Sequence, residues 1–74
     1  MKPYKSAKSG IDSVNYGTTW FRAHFKGGKT YEYRSPPLSS HHISEMIARA
    51  EAHKGLNTYI SENRDVYESG ELIE

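Results

Sequence analysis

The chain predicts an α+β domain: a three-stranded antiparallel β-meander with one or two C-terminal α-helices packed on one face. Three observations carry this expectation. Six aromatic residues crowd between Tyr16 and Tyr33, alternating with polar ones in strand-like fashion. The connections between these segments are short and glycine-bearing, which permits only antiparallel hairpins. From Ile43 onward the apolar spacing switches to that of a helix.

The first strand is read as Ile11 to Tyr16, followed by a turn at Gly17-Thr18-Thr19. The second is Trp20 to Phe25, the next turn is Lys26-Gly27-Gly28-Lys29, and the third strand is Thr30 to Arg34. Alternation places Phe21, Ala23 and Phe25 on one face and Trp20, Arg22 and His24 on the other. In the third strand Tyr31 and Tyr33 oppose Thr30, Glu32 and Arg34, and the apolar set is expected to face the core. Parity constrains the second turn. A two-residue Gly27-Gly28 loop would pair Phe25 with Thr30 and send Tyr31 to the wrong face. A three-residue loop over Gly27 to Lys29 would pair Phe25 with Tyr31 and keep the bulky side chains together, so an odd loop is preferred. The alternative is a sheet with aromatics on both faces.

Ser35-Pro36-Pro37 ends the third strand, because proline cannot donate to a ladder and forces its predecessor to be extended. Ser39 or Ser40 offers an N-cap. Ile43, Met46, Ile47 and Ala50 then mark an amphipathic helix over His41 to Lys54, with Lys54 suited to its last turn and Gly55 to its stop. Asn57 can cap a second helix from Thr58 to about Tyr67 or Glu68, whose stripe of Tyr59, Ile60, Val66 and Tyr67 is interrupted by Asn63. The resulting organisation is a flexible basic arm over residues 1–10, a single domain over 11–68, and an acidic, frayed tail over 69–74.

At 74 residues, there is room for one domain, which buries only about 60% of its unfolded surface. With no cysteine, disulfides and thiolate zinc sites are excluded, and a reducing compartment is favoured over secretion. No signal-peptide core or membrane span is visible, so a soluble, cytoplasmic protein is expected. The net charge of +1 is unevenly distributed: residues 1–10 carry +3, residues 11–40 carry +2 and residues 41–74 carry −4. Such asymmetry fits either an anion-binding face or mutual attraction of the two halves.

Several segments together resemble the KTSC domain, a family named for a C-terminal extension of some lysyl-tRNA synthetases and also found as stand-alone bacterial and phage proteins. Tyr31-Glu32-Tyr33 after a glycine hairpin resembles its central Tyr-x-Tyr. Val14-Asn15-Tyr16 and Phe21-Arg22-Ala23-His24-Phe25 resemble its first two strands. Lys54-Gly55-Leu56-Asn57, followed by Ile60 and Tyr67, resembles its glycine–asparagine segment and final helix. The likeness runs from about Ile11 to Tyr67, and departs from the family in the long Pro36-Pro37 linker. It implies a small binding domain, with RNA the suggested ligand.

The outer sheet face supplies matching chemistry. Trp20 stands beside Arg22, His24 and Arg34, and Lys26 and Lys29 lie in the adjoining hairpin. Single-stranded RNA is commonly held by aromatic stacking with Arg or Lys on the phosphates, so these six residues form the candidate nucleic-acid site. The competing reading is a solvated face on which Glu32 pairs with Arg22 or Arg34. Tyr31 and Tyr33 are expected beneath the helices; a ligand-contacting role would require that side of the sheet to be open. His41 and His42 lack metal-site spacing; near a helix start the dipole disfavours a charged imidazole, so they are expected either to stay neutral or to stay solvated, and neither metal nor cofactor is expected. No nucleophile elbow or phosphate loop is present, and the domain is too small to enclose a pocket of about 300 Å3 without a partner, so catalysis is not expected. The second class of function is docking on a protein partner or a second copy, through the sheet edges or the amphipathic helix.

Overall fold

The computed structural model describes residues 2–5 and 10–73; Lys8 of the basic arm lies outside them. Among the described residues the chain forms a five-stranded antiparallel sheet in sequential order with three helices. The strands are β1 (Lys2–Pro3), β2 (Ile11–Tyr16), β3 (Trp20–Phe25), β4 (Thr30–Arg34) and β5 (Glu71–Leu72). The helices are α1 (Ser40–Ala52), α2 (Leu56–Glu62) and α3 (Arg64–Ser69).

The central meander has the bounds that alternation predicts, but the expected strand count of three is corrected to five. The added strands come from the segments read as arm and tail. β1 pairs Lys2 with Val14 and Pro3 with Ser13; β5 pairs Leu72 with Tyr31 and Glu71 with Glu32. Two-residue strands have no periodicity to reveal them.

In the β3–β4 hairpin, Phe25 N–H donates to the Lys29 carbonyl and Gly28 N–H to the Phe25 carbonyl. The loop is therefore odd, as parity requires, but spans Lys26 to Gly28. Gly28 takes φ 93°, a left-handed conformation open to glycine. Ala23 pairs with Tyr31 and His24 with Thr30, so the register lies two residues from the expected pairing, with every side chain still on its expected face. Phe25 meets Tyr31 diagonally, edge to face at 5.7 Å. In β2, an irregularity between Ile11 and Ser13 absorbs one residue, which returns both Ile11 and Val14 to the core side.

The apolar face carries Ile11, Val14, Phe21, Ala23 and Tyr33, all nearly solvent-free. α1 lays Ile43, Met46 and Ala50 over it, packing on β3, while α3 packs on β4 through Val66. Leu56, Tyr59 and Ile60 of α2 close the layer. Full burial of a side chain such as Phe21 stabilises by about 1.5–3 kcal/mol. Three core members come from outside the expected strands and helices, Leu56 among them. Tyr4 is buried and its hydroxyl accepts from Leu56 N–H, which lacks an intrahelical partner at the start of α2. Leu38 of the proline linker is buried as well.

The helical half departs from expectation at its ends. Ser39 is the N-cap of α1, accepting from His42 N–H. The helix stops at His53, whose left-handed backbone puts its N–H on the Ala50 carbonyl, so Lys54 lies beyond the last turn. Gly55, also left-handed, leads into α2 rather than ending α1, and Asn57 lies inside α2 instead of capping it. The expected second helix is two short ones. Asn63 adopts an extended backbone between them, and both its backbone N–H and its Nδ2 donate to the Tyr59 carbonyl.

Candidate functional site

Because the helices occupy one face of the sheet, the face opposite bears the alternate side chains of β3 and β4. Cross-strand pairing puts Trp20 beside Arg34, Arg22 beside Glu32 and His24 beside Thr30. All the expected outer-face residues share this surface, and Lys26 and Lys29 stand exposed in the hairpin at its end. Along β3, Trp20, Arg22 and His24 follow one another at about 7 Å, two strand residues apart.

The face is ordered by its own bonds. Glu32 is the hub: Arg22 Nε donates to one carboxylate oxygen at 2.8 Å and Arg34 Nε to the other at 2.6 Å. The Glu32 side chain is only 5% exposed, whereas Arg22 and Arg34 are 40% and 62% exposed. The Arg34 bond, then the Arg22 bond, hold the Glu32 carboxyl below its ordinary range; in return Glu32 raises the Arg34 guanidinium. Each arginine is thus anchored through Nε while its side chain still reaches solvent. Trp20 is half-buried. Its indole lies across Gly17, where an added Cβ would sit 2.3 Å from Nε1, and the Arg22 guanidinium lies 5.0 Å from the ring centroid. His24 Nδ1 and Thr30 Oγ1 are hydrogen-bonded at 2.6 Å. The competing pairing of Glu32 with an arginine is therefore realised with both, and it holds Arg22 and Arg34 in place.

The helix side is not sealed. A cleft of about 330 Å3 lies where β3 and β4 meet α2 and α3, and another of about 310 Å3 lies beside β1 and the end of α1. Both are open clefts rather than enclosed pockets; the first forms because the short α2 and α3 do not cover the sheet fully. Tyr31 and Tyr33 line the first cleft. Tyr33 is core as well, and burial pushes its hydroxyl up to about 12. Sequence reasoning missed this cleft, since its far wall depends on the break at Asn63.

Of the two expectations for His42, solvation is not met. Its Nδ1 meets Tyr59 Oη at 2.7 Å and its Nε2 meets Asp65 Oδ2 at 2.8 Å, linking all three helices. The His42 contact holds the Asp65 carboxyl below its ordinary range. Among the described residues, no group of three or more His, Asp or Glu is placed to hold a metal ion. Nor is any helix among them long and apolar enough to cross a membrane.

No protein-family model, curated protein or solved structure matches the chain. Fold and surface define a small α+β domain whose sheet is covered by helices on one side and presents an ordered, arginine-bearing face on the other.

Proposed function

We propose that this protein is a non-catalytic binding module of the KTSC type that takes single-stranded nucleic acid, RNA in the first instance, on the uncovered face of its sheet. The observation that carries the reading is the Arg22–Glu32–Arg34 clamp beside Trp20. A flexible arginine loses side-chain freedom when it grips a phosphate; one already held through Nε loses less. Trp20 supplies a planar surface for a base, Arg22 and Arg34 are the phosphate donors nearest to it, and Lys26 and Lys29 extend the positive track past His24. Arg22 and Arg34 stand on this surface against the carboxylates of Glu32 and Glu71, and any positive excess comes from Lys26 and Lys29, exposed in the adjoining hairpin.

Docking of a protein strand on a sheet edge is less favoured, because β1 and β5 already occupy part of each edge of the meander.

The test is anisotropy of a fluorescently labelled ten-nucleotide oligouridylate, titrated with the protein across a salt series. Counterion release predicts log K falling linearly with log salt, with a slope of about −0.7 per phosphate contacted. Two to four contacts by Arg22, Arg34, Lys26 and Lys29 give a slope between roughly −1.4 and −2.8. Salt-independent binding, or none at low salt, would sink the proposal and turn the search to protein partners.

A further inference from the structure

We infer that the cleft between β3–β4 and α2–α3 is an aromatic box for a methylated ammonium head group, on the opposite side of the sheet from the nucleic-acid face. Phe25, Tyr31, Tyr33 and Tyr67 supply its aromatic walls. Phe25 and Tyr31 stand perpendicular, at an interplanar angle of 87°, so the cleft meets both a ring face and a ring edge. Tyr33 is the buried wall, backed by Gly70, where an added Cβ would come within 2.8 Å of the ring. Tyr67 is 67% exposed, a large aromatic left at the mouth.

The lining selects among ligands by charge. None of the side chains that line it is ionised at neutral pH: besides the rings there are Ile60 and the neutral Asn57 and Ser61, and the Tyr33 phenol stays protonated. A phosphate or carboxylate would find no counter-charge. A primary ammonium would give up three strong hydrogen bonds to water and find no carboxylate in the lining, only neutral hydroxyl and amide oxygens. A quaternary ammonium has no N–H to satisfy, presents apolar methyls, and is attracted by the negative faces of the rings. The surrounding field agrees in sign: α2 and α3 carry Glu62, Asp65 and Glu68 against the one cation Arg64. At about 330 Å3 the cleft lies at the small end of ligand sites, suited to a head group.

The probe pair that tests this is choline and its uncharged carbon isostere 3,3-dimethylbutan-1-ol, titrated into 15N-labelled protein at fixed ionic strength. Choline is expected to move the amides of Tyr31, Tyr33, Asn57 and Tyr67, with the isostere on the order of ten-fold weaker. Tyr67→Ala should weaken choline several-fold, and Tyr67→Phe, which keeps the ring, should restore it. Because Tyr67 is exposed, both variants are expected to fold, and their unperturbed spectra check this. A trimethyllysine peptide binding more tightly than choline assigns the head group to a protein side chain; the reverse order assigns it to a free solute. Equal binding of choline and isostere, or no shift at about 50 mM choline, overturns the inference.

Discussion

The two faces of the sheet hold together by different physics. The helix-covered face is an apolar layer in which Phe21, Ile11, Ile43, Met46 and Leu56 lose almost all contact with water. The uncovered face is ordered by hydrogen bonds, Arg22 and Arg34 on Glu32 and His24 on Thr30, and by packing of Trp20 against Gly17. Burial stabilises in proportion to area, whereas an ion pair whose arginines stay in water adds little net stability, even though the Glu32 carboxylate between them is buried. The outer network therefore does more to position its groups than to hold the fold. Truncations should accordingly unfold the protein on one face and disarm it on the other.

The largest effect is expected from the apolar side. Phe21→Ala should cost about 3–5 kcal/mol, a large share of the roughly 4–11 kcal/mol available to a domain of this length, read as a drop in the urea midpoint. Next comes Trp20→Ala, which should reduce oligouridylate affinity by the roughly 1–3 kcal/mol of one base–aromatic stack while moving the urea midpoint far less than Phe21→Ala. A comparable loss of stability would place Trp20 in the core and remove the distinction between the faces.

Glu32→Gln is subtler. It should lower stability by about 1 kcal/mol or less, since both arginines remain solvated, and it should steepen the salt dependence of RNA binding by freeing two cations. It also bears on acid stability. The Glu32 carboxyl is held below its ordinary value of 4.5 in the folded state, so the unfolded chain takes up the proton first as pH falls. Its stabilisation is therefore present in full above about 4.5 and lost as the pH falls through the lower folded value. Asp65, lowered by His42, acts in the same direction. Glu32→Gln should flatten the acid limb of stability against pH, and an unchanged limb would remove the clamp from the account. The smallest effect is expected from Gly17→Ala. It displaces the indole from its seat, with a shifted Trp20 emission maximum and a stability change within roughly 1 kcal/mol.

The meander was legible because strands with one buried face alternate. Trp20–Phe25 and Thr30–Arg34 show that alternation, and Gly27 and Gly28 mark the hairpin. The outer-face set followed from the same period, and both possible pairings of Glu32 turned out to be made at once. What escaped lacks a periodic signal. β1 and β5 are two residues long. Tyr4 and Leu38 are single apolar residues in polar surroundings, whose burial depends on distant elements. The break at Asn63 was hidden because Tyr59, Ile60, Val66 and Tyr67 read as one stripe, although a polar residue within it was the available hint. The aromatic cleft depends on that break, and so was not visible from sequence either.

The most direct measurement is chemical-shift mapping of the labelled protein with short single-stranded RNA at low and moderate salt. The account predicts shifts at the Trp20 indole, at Arg22 and Arg34, and in the 26–29 hairpin, shrinking as salt rises, with the α1 amides unmoved. Shifts centred on the helices, or none at low salt, would contradict it.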